Sequence, residues 1–184
     1  MKQAFVFIAI FAVLSIACAE AQTSPQAAAE ITFTFTRQTG SASNQFAVWI
    51  EDSQGKYIKT LYAARYTATG GFKRRSSSIP VWVKQSDIAN MAKADVDALT
   101  GATPRTGSLV YTWDGTDSKG AVVSAGEYVV YLEGTLRWEN LVLYSSTVRL
   151  GHGAASSHVD VKYTPSYAIS ERSMISDVKV RTLR

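Results

Sequence analysis

The sequence predicts an all-β protein, an antiparallel β-sandwich with one short helix. Seven or eight short segments are rich in β-branched and aromatic residues and alternate between apolar and polar positions. Clusters of glycine, aspartate and serine separate these segments, as the turns of a sandwich require. The composition, 46% hydrophobic and 18% charged, is typical of a folded domain and argues against disorder.

The strands follow from the local patterns. Alternation of large apolar residues with threonine predicts a first strand at Ile31–Thr36. Phe46–Ile50 and Lys56–Tyr62 flank a run of turn residues and predict a hairpin. Ile79–Val83, with Pro80 near its start, is expected to be an edge strand. Further strands are expected at Ser108–Trp113, Glu127–Glu133, Asn140–Leu150, Val159–Tyr163 and Asp177–Leu183.

One segment favours a helix. Ser86 is a candidate N-cap, Asp87 suits the positive end of a helix, and apolar residues then recur at helical spacing. Gly101 and Pro104 prevent the helix from continuing, so we expect it to cover Ser86 to Thr100.

The N-terminus has the pattern of an export signal. Lys2 supplies the positive charge, Phe5–Ile16 is an apolar run too short to span a bilayer, and Ala19-Glu20-Ala21 is a cleavage site. We therefore expect a periplasmic or otherwise extracytoplasmic protein that begins at Gln22, with no transmembrane segment in the mature chain. The expected organisation is a signal peptide at 1–21, a flexible lead at 22–30 and a single sandwich domain at 31–184.

Several kinds of chemistry are excluded. Cys18 is the only cysteine and lies within the signal, so the mature chain would contain no disulfide, thiol nucleophile or cysteine-bound metal. His152 and His158 lie in a Gly/Ala/Ser stretch with no orienting carboxylate, so we interpret them as exposed loop residues. No catalytic and no metal-ligating residues are predicted. A net charge of +4 without a recognised nucleic-acid module argues against nucleic-acid binding.

Two charged segments allow more than one interpretation. Asp114, Asp117 and Glu127 could bind calcium, but Asp-Gly and Lys-Gly also suit a turn, which we favour. Lys73-Arg74-Arg75 is the only run of three charges and could attract phosphate or an anionic membrane, or be a solvated loop, which is the favoured interpretation. The four tryptophans are core residues by default, although some could stack on a planar ligand.

Trp113-Asp114-Gly115, followed by Gly120 and Gly126-Glu127-Tyr128, resembles the immunoglobulin-like module of the flagellar hook-cap protein. The resemblance covers about twenty residues and supports an immunoglobulin-like fold, but it carries no information about activity.

Asp97-Ala98-Leu99-Thr100-Gly101-Ala102-Thr103 matches the pattern D-x-x-[ST]-G-A-[ST]. It is similar to the acceptor motif at which flavin transferases attach FMN to exported redox proteins, with Thr103 as the acceptor. Small residues before Thr103 would keep its hydroxyl accessible, Asp97 could position the loop or help the transferase's metal, and Arg105 could pair with the phosphate. The same residues also fit a helix end followed by a turn. The expected cofactor-binding residues are Asp97, Thr100, Gly101, Ala102, Thr103 and Arg105.

Four further segments occur in order along the chain, namely Ala47–Asp52, Gly70–Arg75, Thr100–Gly107 and Gly126–Tyr128. Together they resemble the predicted periplasmic family called domain of unknown function 2271. The resemblance implies an exported protein, often encoded beside flavin transferases and PepSY-type membrane proteins, in a family of no settled activity.

The leading hypothesis is an extracytoplasmic electron carrier with covalent FMN on Thr103. Its partners would be a flavin transferase and a PepSY-type or other membrane redox protein, and the flavin would supply the redox chemistry. Such a protein would be a carrier without a substrate of its own. The alternative is a cofactor-free interaction module, and a weaker third hypothesis is a small-ligand or metal-binding protein that uses the aromatic residues or the two histidines.

Overall fold

A computed structural model describes residues 27–39, 44–168 and 174–184. The signal peptide predicted at 1–21 and residues 22–26 of the predicted lead lie outside the described residues. The strands are β1 (Ala29–Phe35), β2 (Gln45–Asp52), β3 (Tyr57–Ala64), β4 (Thr100–Gly101), β5 (Gly107–Trp113), β6 (Gly126–Thr135), β7 (Leu141–Leu150), β8 (Ala155–Ser157), β9 (Asp160–Thr164) and β10 (Ile175–Thr182). The helices are α1 (Arg65–Ala68), α2 (Pro80–Gln85) and α3 (Lys93–Leu99), with a 3₁₀ turn at Gly71–Lys73.

The strands form two sheets that pack face to face, which confirms the predicted all-β sandwich. One sheet has the strand order β5-β1-β10-β8, and the other has the order β4-β3-β2-β6-β7-β9. The expected hairpin of β2 and β3 is present, with Ala47 paired to Ala63. β4 adds to β3 in parallel, through the pairs Ala63–Thr100 and Ala64–Gly101.

The main core lies between the two sheets. In β1 the apolar residues point inward and are buried, while the residues between them are only partly buried, as the alternating pattern predicted. Phe33 and Phe46 meet edge to face with ring centroids 5.6 Å apart, and Phe46 stacks on Tyr62 at 4.6 Å. Trp113 closes the other end of this core against Tyr128.

A second core lies on the outer face of the larger sheet. The chain between β3 and β4 crosses this face and carries α1, α2 and α3, so β2 is buried on both of its faces. Trp82 of α2 is fully buried and its Nε1 donates to Thr60 Oγ1 at 2.9 Å. Trp49 stacks on Tyr131 at 5.0 Å and donates to Glu51 Oε1 at 2.7 Å.

The predicted edge strand at Ile79–Val83 is wrong, because these residues begin and form most of α2. Pro80 occupies the first turn of a helix, where its fixed φ is suitable and its missing N–H costs nothing. Ile79 stands before it in the left-handed region at φ +42° and donates its backbone N–H to Thr135 Oγ1 at 2.8 Å. A pattern of apolar residues only five positions long did not distinguish a buried helix from a strand.

The predicted helix from Ser86 to Thr100 is also wrong in extent. Ser86 ends α2 instead of beginning a helix, since both its backbone N–H and its hydroxyl donate to the carbonyl of Trp82. Asp87 then adopts a left-handed φ of +50°, which aspartate tolerates and which ends the helical path. The helix that does form, α3, begins only at Lys93.

A buried carboxylate holds α2 against the larger sheet. Glu133 of β6 is fully buried, and its two oxygens accept the backbone N–H groups of Val81 at 3.1 Å and Trp82 at 2.8 Å. Burial raises the pKa of Glu133 to about 7, against the lowering effect of these two hydrogen bonds. Burial therefore favours the protonated form of Glu133 more strongly than that of an exposed glutamate.

Other boundaries differ by a few residues. β1 begins at Ala29, so the last two residues of the predicted lead belong to a strand, and Ala28 before them is buried. The short strands β4 and β8 lie where no strand was expected, because two or three residues are too few to show a pattern in sequence.

Candidate functional site

The motif Asp97–Thr103 spans three kinds of local structure at one edge of the larger sheet. Asp97 lies in the last turn of α3, Thr100 and Gly101 form β4, and Ala102 begins an irregular stretch that lasts until β5. We call Ala102–Arg105 the acceptor segment. It lies beyond the end of β3, where β4 leaves the sheet and the chain turns back into the other sheet.

The phenol of Tyr62 fixes the start of the acceptor segment. Tyr62 Oη donates to the carbonyl of Ala102 at 3.1 Å, with a longer contact of 3.5 Å to that of Gly101. A Cβ added to Gly101 would lie 2.7 Å from the Tyr62 ring, closer than atoms can approach. Burial raises the pKa of Tyr62 to about 12, so the hydroxyl stays protonated and able to donate. Glycine at position 101 is therefore required by the packing of Tyr62.

Thr103, the expected acceptor, directly follows the residue whose carbonyl Tyr62 binds. It is half-buried, and among the described residues its hydroxyl has no hydrogen-bond partner. Arg105, two residues later, is exposed and likewise forms no ion pair within the described part of the chain. Thr106, the residue after the acceptor segment, accepts a hydrogen bond from the backbone N–H of Arg37 at 2.9 Å. This bond connects the end of the acceptor segment to the residues that follow β1.

Asp97 and Thr100 contribute less directly than the motif suggests. Thr100 Oγ1 donates over a long 3.4 Å to the backbone carbonyl of Asp97. The exposed carboxylate of Asp97 lines a groove of about 320 Å³ together with Lys73 and Lys93. No hydrogen bond joins Asp97 to Thr103 within the described ranges. Tyr62 therefore contacts Gly101 and Ala102, the two residues before Thr103, whereas Asp97 lies on the groove.

A larger cleft that sequence reasoning missed runs along the opposite side of α3. Its volume is about 830 Å³, and it is closed on one side by Ala98 and Leu99 of α3 and on the other by Tyr57 and Leu61 of β3. This volume lies within the range of small-molecule sites. No motif indicated the cleft, because its lining comes from four separate segments that only the fold brings together.

Lys59 and Asp114 form an ion pair at one end of this cleft. Lys59 Nζ lies 3.1 Å from Asp114 Oδ1 and 2.7 Å from Thr116 Oγ1. Partial burial alone would raise the pKa of Asp114, but hydrogen bonds from Thr116 and Lys59 outweigh it and keep the pKa below its ordinary value. Asp114 is therefore a paired carboxylate.

The favoured turn interpretation of the Asp-Gly segment agrees with the backbone. Gly115 and Gly120 have φ of +75° and +82°, which glycine alone adopts without strain. Asp117 Oδ1 accepts the backbone N–H groups of Lys119 and Ala121, as in an Asx turn. Among the described residues no three His, Cys, Asp or Glu side chains are arranged to hold a metal.

His152 and His158 lie on the far side of the sandwich, around a shallow groove that also includes Asp160. His158 Nε2 is 3.5 Å from Asp160 Oδ1, and both side chains are largely exposed. This agrees with their interpretation as exposed loop residues.

The basic run packs against the turn between β6 and β7. A guanidinium N–H of Arg75 donates to the backbone carbonyl of Trp138, and Ser77 Oγ donates to the same oxygen at 3.3 Å. Lys73 and Arg74 remain exposed. Trp138 is 63% exposed, so the expectation that all four tryptophans are core residues is wrong for this one.

Comparison with known proteins identifies the family. The family model described as "Predicted periplasmic protein (DUF2271)" matches residues 27–164, well over half of the chain. The chain belongs to this family. The matched range includes every strand except β10, together with the helical crossing and the acceptor segment, and the family's compartment agrees with the extracytoplasmic location that the sequence predicts. Neither the curated proteins nor the solved structures contain a match to the chain.

None of the helices within the described ranges has the length and apolar character needed to cross a membrane.

Proposed function

We propose that this extracytoplasmic protein carries FMN covalently, as a phosphoester on Thr103, and passes electrons to or from a membrane partner. The observation that carries the proposal is the free hydroxyl of Thr103, on an irregular segment at the end of a complete D-x-x-[ST]-G-A-[ST] match. Flavin, when attached, supplies the redox chemistry.

The acceptor segment fits the steric demand of a modifying enzyme. A transferase has to reach the hydroxyl from solvent, and Thr103 lies outside the strands, as do the two residues after it. Tyr62 holds the carbonyl of Ala102, which limits the motion of Thr103 without occupying its hydroxyl. An acceptor presented in this way loses little conformational entropy on binding to the transferase.

The chemistry of attachment is a phosphoryl transfer to an alcohol. The Thr103 oxygen would form a bond to the phosphorus of FMN within a phosphoanhydride donor, the class to which FAD belongs. The anhydride P–O bond breaks, the nucleotide phosphate leaves, and the hydroxyl proton passes to a base of the transferase. Arg105 is an unpaired cation two residues away and is suited to contact the resulting phosphodiester.

Covalent flavin is tested by expressing the protein with the flavin transferase of its own host. After denaturing electrophoresis, the wild-type band is expected to fluoresce, and its intact mass is expected to rise by one FMN residue. Thr103→Ala should abolish both signals, Thr100→Ala should reduce them less, and Asp97→Ala should impair attachment. Ser108→Ala is the matched control, because Ser108 carries an exposed hydroxyl just outside the motif.

The absence of covalent flavin from wild-type protein made with its own transferase would refute the carrier. Retention of full labelling in Thr103→Ala would instead place the flavin on another residue. In the first case the cofactor-free interaction module takes the place of the carrier.

A further inference from the structure

The acceptor segment shares one end of the sandwich with several turns. β3, β6 and β9 finish at this end and β7 begins there, as the pairs Ala63–Thr100, Thr135–Leu141 and Leu141–Thr164 show. We call it the acceptor end. With strands spaced about 4.8 Å apart, the distance from β4 to β7 across this end is roughly 20 Å.

The acceptor end displays aromatic side chains to solvent. Among the described residues, the largely exposed aromatic side chains are Tyr66, Trp138 and Tyr167, at 46%, 63% and 70% exposure. Tyr66 follows β3, Trp138 lies in the turn between β6 and β7, and Tyr167 comes shortly after β9. All three therefore belong to the same end of the larger sheet, whereas most of the other aromatic residues are at least partly buried in the two cores.

The same end carries an excess of positive charge. Among the described residues, the exposed cations of this end outnumber its exposed acidic residues, which include Glu139 in the Trp138 turn, Asp97 on the groove and Asp177 near the start of β10. Arg75 is hydrogen-bonded to the Trp138 carbonyl and so connects the basic run to the aromatic turn. The exposed cations of the acceptor end are Arg65, Lys73, Arg74, Arg105 and Arg137.

Trp138 is held in an unfavourable backbone conformation. Its φ is +52°, a left-handed value that a bulky side chain adopts at a cost and that glycine or asparagine would adopt more easily. The turn thus exposes a large indole at a position where the fold would prefer a smaller residue. Strained residues are concentrated at functional sites, which makes this exposed indole a candidate for a binding role.

We propose that the acceptor end binds the surface of an anionic phospholipid bilayer. The lysine and arginine side chains contact lipid phosphates, while Trp138, Tyr66 and Tyr167 enter the interfacial layer, where amphipathic rings are favoured. An acidic protein surface could pair with the cations but would leave the indole in water. The interfacial layer of a bilayer accommodates both the cations and the aromatic rings, so it fits this surface better. The inference goes beyond the proposed function and does not depend on flavin, although it would bring Thr103 close to a membrane partner.

The test is co-sedimentation with vesicles at low salt, using exported protein whose N-terminus has been determined by mass spectrometry. An uncleaved Phe5–Ile16 segment would bind lipid by itself. We expect binding to equimolar phosphatidylglycerol and phosphatidylcholine, and little binding to phosphatidylcholine alone. Tryptophan emission should shift to the blue on binding, because Trp49, Trp82 and Trp113 are already buried.

Two variants separate the charge from the aromatic contribution. A double substitution, Lys73→Gln with Arg74→Gln, should weaken binding roughly 30-fold, about fivefold for each charge removed near the surface. Trp138→Asn should weaken binding and abolish the blue shift, and asparagine suits the left-handed backbone, so the turn should fold normally. The matched control, Lys56→Gln with Lys119→Gln, removes two exposed cations from the opposite end and should change binding less than twofold.

Failure of the wild-type protein to bind phosphatidylglycerol vesicles would overturn the proposal, and so would an equal loss in the control pair. Displacement by inorganic phosphate at matched ionic strength would show a simple anion site and also count against it. Thr103→Ala protein should bind like the wild type, so a failure of flavin attachment leaves this result unaffected.

Discussion

Replacing Glu133 with glutamine is expected to remove a pH dependence from the stability of the fold. Glu133 is fully buried, and its pKa in the folded protein is raised by burial from 4.5 to about 7. Between these two values the folded protein holds a proton that the unfolded chain has released. The contribution of Glu133 to stability is therefore fully present below pH 4.5 and falls as the pH rises towards 7, where the folded protein must ionise a buried group.

The magnitude follows from the shift. Each pKa unit corresponds to about 1.4 kcal/mol, so the loss between the two pKa values is ~3 kcal/mol, and no further loss from this group is expected above them. Among the described residues no cation lies within ion-pair distance of Glu133 to offset it. Asp114 has a lowered pKa and loses stability only in more acidic solution, so the two effects do not overlap.

The measurement is the free energy of unfolding in urea, followed by tryptophan fluorescence, at several pH values between about 4.5 and about 8. Wild-type protein should lose stability across this interval, whereas Glu133→Gln should be nearly flat, because glutamine resembles the protonated acid in shape and charge. Glu139→Gln, an exposed carboxylate in the neighbouring turn, is the control and should behave like the wild type. A wild-type stability that stays constant or rises between pH 4.5 and 7, or a variant that keeps the slope, would refute the reasoning.

Two further substitutions test the geometry around the acceptor segment and the cleft. Gly101→Ala should destabilise the fold by about 1–3 kcal/mol, because its Cβ would lie 2.7 Å from the Tyr62 ring; an unchanged melting temperature would show that Tyr62 packs differently. Gly115→Val should destabilise by about 1–3 kcal/mol as well, since its φ is +75° and an added Cβ would lie 3.2 Å from a side-chain nitrogen. Calcium should leave the melting temperature of the wild type unchanged, and a large rise would reveal Asp114 as a ligand.

The strand positions were predictable wherever side chains alternate between core and solvent. β1 and the hairpin of β2 and β3 lie close to their expected positions, because a period of two is set by the pleat of the strand itself. Prediction failed at Ile79–Val83, where five mostly apolar residues fit a helix as well as a strand. The second core determines that this segment is a helix, because Trp82 is buried there as part of α2.

The acceptor motif was likewise visible in sequence, but the roles of its residues were not. Gly101 was expected to keep Thr103 accessible, and the structure gives it a packing reason, the ring of Tyr62 39 positions earlier. Asp97 stands six residues before Thr103, yet it faces a separate groove because the end of α3 and the pairing of β4 turn the chain between them.

The sequence by itself determined the all-β class, most of the strands, the extracytoplasmic compartment and the candidate acceptor Thr103. Each of these depends on residues that are close together in the chain: the alternating strand pattern, the export signal and the Asp97–Thr103 motif. The tertiary structure decided which of the four tryptophans is exposed, and it raised the pKa of Glu133 by burying its side chain. It also placed Thr103, Arg75 and Trp138 at the same end of the sandwich. These properties depend on burial and on contacts between residues far apart in the chain. The free energy of a buried charge or an exposed ring is set by the packed neighbours, and the fold alone supplies them.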